Sequence, residues 1–294
     1  MKKILLSLFL VISIALQSQV PTEILYGAID RSSLQKTPFD KWFISGYQDY
    51  QPSVDVLQSL KKSDLKGICI EVFFGTWCGD SRREVPRFLK LLDEIGLPAK
   101  NIRLIAVGGS DSLIKQSPGH EEAEKGIFRV PTFILYKNDK ELGRINEYPV
   151  NSLERDLYAI LLNQPYSPNY KSFATIRNWM KDGTLSDRNM SIRGLAMQLR
   201  SLVINERELN SLGYLLLNQG NKETALRIMQ FNAQLYPESA NALSSLGEAF
   251  LKNSDAKSAL PLLERSLELN KDPLLVKEIL KVLYQAKLAD TGTK

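Results

Sequence analysis

The chain has 294 residues, of which 44% are hydrophobic and 24% are charged, as in ordinary globular proteins. Its formal net charge is only +5, and it has no stripe of Lys and Arg interleaved with aromatic residues, which argues against nucleic-acid binding. Two cysteines and one histidine exclude a disulfide scaffold and the classical metal sites. We therefore expect about two domains, no metal and no other cofactor.

The N-terminus has the pattern of a secretory signal. Lys2 and Lys3 precede a mostly apolar run, Ile4–Leu16. This run is long enough for a signal-peptide core but shorter than the ~20 residues that span a bilayer. We predict a cleaved signal peptide at residues 1–19, export to the periplasm or cell envelope, and no membrane attachment after cleavage. An uncleaved anchor or a buried helix is the alternative.

Residues 20–62 are a lead-in with an aromatic cluster, which we expect to pack on the domain that follows, residues 63–163. Apolar runs in that domain predict strands at Lys66–Phe74, Asn101–Gly108, Phe128–Tyr136 and Glu141–Ile145. Amphipathic or polar stretches predict helices at Ser53–Lys62, at Cys78–Ile95, within Ser110–Lys125 and at Ser152–Asn163. This alternation predicts an α/β fold with a central mixed sheet and helices on both faces.

One short segment has the residue types of a redox site. Trp77-Cys78-Gly79-Asp80-Ser81 lies where a predicted strand gives way to a predicted helix. Backbone N–H groups and the dipole at a helix N-terminus favour an anion, so a cysteine there is held partly as the thiolate. The thiolate is the form that attacks a disulfide. Cys78 is therefore the candidate nucleophile.

Residues 66–162 resemble the thioredoxin family. The resemblance depends on Trp77-Cys78 after a buried strand, Gly79-Asp80 before Ser81, Pro86 in the following helix, and Val130-Pro131-Thr132 in the place of the family's cis-proline segment. It implies a thioredoxin fold with a cis bond before Pro131. It also implies catalytic roles for Cys78 and Ser81, and substrate contacts from Trp77, Gly79, Asp80, Val130 and Pro131.

The sequence departs from a dithiol enzyme of this family at two positions. Ser81 replaces the second cysteine, and Val72 replaces the buried acid that accepts that cysteine's proton. Cys69 lies nine residues before Cys78 on the predicted strand. At ~3.3 Å per residue the two are roughly 20–30 Å apart, too far for a disulfide. We expect Cys69 to be a buried structural thiol, and the departures argue against a dithiol reductase.

Three hypotheses remain for Cys78. The first is a monothiol exchange catalyst that forms mixed disulfides with protein or peptide clients, or captures them, and needs an outside thiol for release. The second is a non-catalytic thioredoxin-fold interaction scaffold. The third is a cluster- or glutathione-binding site similar to that of monothiol glutaredoxins. Trp77, the thioredoxin-like segment after Pro131 and the predicted export weigh against the third.

The rest of the chain is predicted to be helical and contains an internal repeat. Leu212-Gly213 recurs as Leu246-Gly247, and Ala225 recurs as Ala259, each 34 residues later (247 − 213). This period resembles tetratricopeptide repeats. We predict a linker and helical segment at residues 164–205, two such repeats at 206–273, and a capping helix and tail at 274–294.

The resemblance to tetratricopeptide repeats implies a concave surface that binds a protein partner. Candidate groove residues are Asn210, Tyr214, Asn218, Asn241 and Ser244. The alternative is that these helices only form a dimer or support the first domain.

Overall fold

The computed structural model describes residues 23–110 and 113–291, and the predicted signal peptide lies outside them. The N-terminal part contains an open mixed sheet. Its strands are β1 (Gly27–Ile29), β2 (Ile68–Phe74), β3 (Ile102–Ala106), β4 (Thr132–Lys137) and β5 (Lys140–Asn146). Their order is β1-β3-β2-β4-β5, with β2 and β3 parallel and the other neighbours antiparallel. The four predicted strands are confirmed, whereas β1 was not predicted.

One face of this sheet is covered by helices. These are α1 (Asp40–Asp49), α2 (Val54–Lys61), α3 (Gly79–Glu94) and α4 (Leu153–Leu161). All of them contribute to a single buried cluster, with Phe43, Leu60, Phe88 and Leu157 among their members. The strands contribute Ile68, Ile70, Val72, Phe74 and Leu135, among others. The centroids of the Phe88 and Phe133 rings lie 4.2 Å apart.

The prediction of helices on both faces is wrong for the described residues. The opposite face packs against the connection between β3 and β4, and this cluster consists of Phe73, Ile105, Val107, Ile127, Val130 and Ile134. The helix predicted within Ser110–Lys125 is replaced by turns over the residues described there. Lys115, His120 and Glu124 have φ angles of 53°, 53° and 59°. A right-handed helix does not permit these values.

The outer face of β2 is less apolar than predicted. Cys69 is exposed, so the expectation of a buried structural thiol is wrong. Glu71 is buried, and its carboxylate accepts hydrogen bonds from Arg103 at 2.7 Å and Tyr136 at 3.1 Å and pairs with Lys125. The β3–β4 connection therefore buries the Phe73 end of this face and leaves the Cys69 end open to solvent.

The C-terminal part is all-helical over its described residues. It consists of α5 (Lys171–Lys181), α6 (Ile192–Leu199), α7 (Glu206–Asn218), α8 (Lys222–Leu235), α9 (Ala240–Lys252), α10 (Ala256–Leu269) and α11 (Pro273–Thr291). Helix α7 packs on α8, and α9 packs on α10. Helices α7 and α9 begin 34 residues apart (240 − 206), as do α8 and α10 (256 − 222). None of the described helices has both the length and the apolar character needed to cross a membrane.

The recurring Leu-Gly pair has a packing role. A Cβ on Gly213 would lie 2.7 Å from Cγ of Met229, and one on Gly247 would lie 2.7 Å from Cγ of Leu263. Both distances are shorter than any ordinary carbon contact. The two glycines therefore allow each helix to approach its neighbour closely, which explains the 34-residue recurrence of glycine in physical terms.

We predict that Gly247→Ala lowers the free energy of unfolding by up to about 2 kcal/mol. Overpacking against Leu263 costs about 1–3 kcal/mol, and the better helix propensity of alanine offsets about 1 kcal/mol. Gly194→Ala in α6 is the matched control, because the nearest atom to its new Cβ would be 3.5 Å away. Chemical denaturation followed by circular dichroism measures both variants. Equal stability of the two would contradict the close approach at Gly247.

Candidate functional site

Cys78 lies at the junction between β2 and α3. The chain turns after Phe74, with the Cys78 N–H donating to the Gly75 carbonyl at 3.0 Å, and α3 begins at Gly79. Cys78 has the extended backbone of an N-cap residue (φ −87°, ψ 126°). Its side chain therefore lies at the N-terminus of a 16-residue helix, where the helix dipole favours negative charge.

The thiol of Cys78 faces the segment that precedes β4. Its Sγ is half-buried and donates to the carbonyl of Val130 at 3.3 Å, across 52 residues of sequence. The Val130–Pro131 peptide bond is cis, as expected. The Pro131 carbonyl accepts the Glu147 N–H at 2.6 Å. The structure thus brings together the cysteine motif and the proline segment, two stretches far apart in sequence that the resemblance implies form one site.

Trp77 connects this site to the loop after β3. Its Nε1 donates to the carbonyl of Val107 at 3.0 Å. A Cβ on Gly75 would lie 2.5 Å from its ring, and one on Gly109 would lie 2.6 Å away. The indole is therefore packed between two backbone segments. It forms one wall beside Cys78 and fixes the position of the loop that continues to Lys115.

The remaining motif residues differ in their exposure. Gly79 is exposed, and a Cβ there would meet nothing within 4 Å, so the surface beside the thiol is open. Asp80 forms an ion pair with Arg83 at 2.9 Å. The Nε of Arg82 donates to the Thr76 carbonyl at 2.6 Å. These contacts hold the first turn of α3 and leave Cys78 accessible from the Gly79 side.

Ser81 is completely buried, unlike its neighbours in the motif. Its Oγ accepts the buried Gly75 N–H at 3.2 Å. Val72, at the position where the family has a buried acid, lies in the apolar cluster under the helices, while Glu71 points to the opposite face. The hydroxyl of Ser81 thus has a clear structural role in the turn, and its catalytic role stays a prediction.

Arg129, next to the proline segment, is held by contacts with distant parts of the chain. Arg129 directly precedes Val130, and its Nη2 donates to Oγ of Ser211 on α7 at 2.5 Å. Its guanidinium lies 4.9 Å from the ring centroid of Tyr170, whose hydroxyl bonds to Glu147. These residues are spread over more than 80 positions of the chain, so only the fold brings them together.

Lys115 completes this group. It is half-buried, and its backbone N–H donates to the Gly108 carbonyl at 2.8 Å. Burial lowers the pKa of Lys115 to about 8; Arg129 also lowers it, whereas Cys78 and Glu147 raise it. No motif marks this residue, because it lies in a turn of irregular backbone.

The helical part has a separate cleft of about 390 Å³ between α7, α9 and α11. Three of the five predicted groove residues line it, namely Tyr214, Asn241 and Ser244. Asn210 is buried instead, and its Nδ2 donates to Oγ of Ser245 at 2.9 Å. Asn218 does not line the cleft.

The sequence matches no known protein-family model, and a comparison with curated proteins finds no match. Within residues 23–110 and 113–291, no group of three or more His, Cys, Asp or Glu side chains could hold a metal ion. The function must therefore be inferred from the geometry around Cys78 and from the cleft of the helical part.

We predict that Ser81→Ala lowers the free energy of unfolding by about 1–2 kcal/mol, because it leaves the buried Gly75 N–H without an acceptor. The rate at which Cys78 reacts with iodoacetamide should change less than about twofold, since the Ser81 hydroxyl, which accepts the Gly75 N–H, does not contact the Cys78 thiol. Ser45→Ala, at an exposed serine, is the control and should alter neither quantity. A large loss of Cys78 reactivity without a loss of stability would instead give Ser81 a role in the chemistry.

Proposed function

We propose that residues 63–163 form a thioredoxin-like domain in which Cys78 exchanges disulfides with protein clients, or captures the clients as mixed disulfides. One observation carries this proposal. The Cys78 thiol lies at the N-terminus of α3 and 3.3 Å from the carbonyl of Val130, the residue before cis Pro131. This places a sulfur at a helix N-terminus beside a backbone segment against which a client chain can lie.

The topology supports the same proposal. Parallel β2 and β3 are followed by antiparallel β4 and β5, with α3 directly after β2 and the cis proline directly before β4. The resemblance to the thioredoxin family implies this sequence of elements. The β3–β4 connection departs from it, because turns stand where a helix was expected.

The contact between Cys78 and Val130 depends on the protonation of the sulfur. As a thiol, Sγ donates to the carbonyl. As a thiolate it has nothing to donate, and the backbone N–H groups at the start of α3 stabilise its charge. The Val130 carbonyl is then available for a backbone N–H of the client. Deprotonation thus activates the nucleophile and frees a client-binding acceptor in one step.

The exchange itself is a displacement at sulfur. The Cys78 thiolate attacks one sulfur of a client disulfide, and a new S–S bond forms between them. The other client sulfur leaves with the bonding electron pair and takes up a proton from solvent. Cys78 is oxidised to a mixed disulfide, and one client sulfur is reduced to a thiol.

Release from this mixed disulfide needs a thiol from another molecule, because the chain has only two cysteines, Cys69 and Cys78. Ser81 offers only a buried hydroxyl. Cys69 is five residues from the end of β2 at Phe74, which places it about 17 Å from the strand end at ~3.3 Å per residue. The geometry therefore favours a monothiol mechanism over a dithiol cycle.

A second candidate function is a non-catalytic interaction scaffold. The cleft between α7, α9 and α11 favours it, since such a surface can bind a partner without any reaction at Cys78. In both candidates, we propose that the helices form a tetratricopeptide-like module for a protein partner, that the protein is exported to the periplasm or cell envelope, and that it binds no nucleic acid.

We predict that hydroxyethyl disulfide modifies Cys78 at least about 10-fold faster than the exposed Cys69, because only Cys78 has an activating helix terminus. Mass spectrometry of peptides follows each thiol in the same sample, so Cys69 is an internal reference. Cys69→Ser should leave the Cys78 rate unchanged, and Cys78→Ala should remove the fast adduct. A Cys78 that reacts more slowly than Cys69 would sink the exchange function and favour the scaffold.

A further inference from the structure

The last described helix, α11, exposes an apolar stripe. Leu280, Tyr284 and Leu288 follow one another at intervals of four residues, so they lie on one face of the helix. Their exposed fractions are 49%, 65% and 54%. Another face of α11 is buried, because Ile279 and Leu283 belong to a hydrophobic cluster with residues of α10. The described residues therefore cover α11 on one side and leave the apolar stripe open to solvent.

The 34-residue period shows which element covers the same face in the two preceding repeats. Lys281 is the counterpart of Gly247 (281 − 247), where an added Cβ would lie 2.7 Å from a side chain of α10. Tyr284 is the counterpart of Phe250, which packs against a cluster with α10 residues, and of Leu216, whose cluster contains α8 residues. The second helix of each repeat thus packs along this face of the first. Among the residues described, no helix does so for α11.

Lysines border the apolar stripe. By helical spacing, Lys281 and Lys287 lie on its two sides, and Lys277 lies at its N-terminal end. Lys287 pairs with a glutamate of α10 at 3.6 Å, whereas the other two form no ion pair with any described residue. The acidic residues of α11, Glu278 and Asp290, lie on other faces of the helix. The stripe is therefore an apolar surface with positively charged edges.

Two occupants from the chain itself do not match these charges. If α11 paired with α11 of a second copy, antiparallel about Tyr284, Lys281 of each helix would lie opposite Lys287 of the other. A parallel pair would place each lysine opposite itself, and like charges across an interface are unfavourable. The apolar run near the N-terminus is preceded by Lys2 and Lys3, so it also adds positive charge. The charge that complements the stripe is negative.

We propose that α11 binds an amphipathic helix of a partner protein, with an apolar stripe that covers Leu280, Tyr284 and Leu288 and with Asp or Glu along its edges. The bound helix takes the place that the second helix has in the pairs α7–α8 and α9–α10. It lies further from α11 than in those pairs, because Lys281 replaces a glycine. None of the three apolar residues lines the cleft between α7, α9 and α11. The inference therefore adds a second surface and depends neither on that cleft nor on exchange at Cys78.

Three synthetic peptides test this selection of an acidic helix. Each has about 18 residues in an alanine-rich background, long enough to form a helix, and each has the same stripe of leucines. The edges of the stripe carry Glu in the acidic peptide, Gln in the neutral one and Lys in the basic one. Fluorescence anisotropy of the labelled peptides measures their binding to the full chain. We expect the acidic peptide to bind at least about fivefold more tightly than the neutral one, and added salt to reduce this difference.

Variants of α11 test where the acidic peptide binds. Tyr284→Gln should weaken its binding about 10-fold by removing an aromatic anchor, and should leave stability unchanged because the side chain is exposed. Lys277→Glu should lower the ratio of acidic-peptide to basic-peptide affinity by about fivefold. Lys252→Glu is the matched charge reversal, since Lys252 is exposed but lines the cleft. Leu142→Gln, at an exposed residue of β5, is the apolar control, and neither control should change binding.

Four results would overturn the inference. Equal affinities for the three peptides would remove the selection by charge. Binding that is lost in Lys252→Glu but kept in Tyr284→Gln would assign the peptide to the cleft. A dimer of the full chain in analytical ultracentrifugation that Tyr284→Gln dissociates would make a second copy the occupant. A full chain that binds no peptide would also overturn it, and a crosslink from α11 to residues 1–22 would then identify the N-terminal segment as the occupant.

The lysine edges also call for a comparison with an anionic membrane surface. Vesicles of phosphatidylglycerol and phosphatidylcholine are sedimented with the full chain and with Tyr284→Gln. We expect no vesicle binding that depends on Tyr284. Vesicle binding that Tyr284→Gln abolishes and that the acidic peptide does not compete with would assign the stripe to lipid and overturn the partner helix.

Discussion

The chain between β3 and β4 has to bury one face of the sheet and also provide the surface on which the helical part packs. Its last residues meet both demands because neighbouring side chains join different hydrophobic clusters. Ile127 and Val130 belong to the cluster on the sheet. Phe128 belongs to the helical cluster, where its ring meets Phe173 edge-on at 5.2 Å. Two hydrophobic cores are thus joined by four consecutive residues.

This arrangement places the thiol site at the boundary between the two parts. Val130 contacts Cys78, and its neighbour Arg129 contacts Ser211 on α7. Further bonds cross the same boundary, including Gln219 to the Ile114 carbonyl at 3.2 Å and Arg177 to Glu141 at 3.3 Å. The surroundings of Cys78 therefore depend on helices that begin more than 90 residues later in the chain.

The sequence predicted those features of the fold and site that depend on local pattern. The buried strands follow from β-branched and aromatic runs. The contact between Cys78 and Val130 follows from two motifs that lie at a fixed position relative to each other in the thioredoxin family, which residues 66–162 resemble. β1 was missed because three residues carry no periodic signal. The helix expected within Ser110–Lys125 failed because left-handed backbone at Lys115 and Glu124 replaces it.

The other misses are tertiary in origin. Cys69 was expected to be buried because its strand is apolar, but burial depends on what covers each face, and the cover extends only as far as the Phe73 end. Lys115 and Ser211 could not be assigned to the site, since no spacing rule links them to Cys78. Their positions are consequences of how the β3–β4 connection and α7 pack.

The burial of Ser81 and the remoteness of Cys69 also have a kinetic consequence. In a dithiol enzyme, the second cysteine breaks the mixed disulfide in a first-order step whose rate is a property of the protein. In the proposed exchange, with no second thiol in reach, the breaking step would be second-order, and its rate would be proportional to the concentration of free thiol in the surrounding solution. The dwell time of a client on Cys78 would then vary inversely with that concentration: long where free thiols are scarce and short where they are abundant.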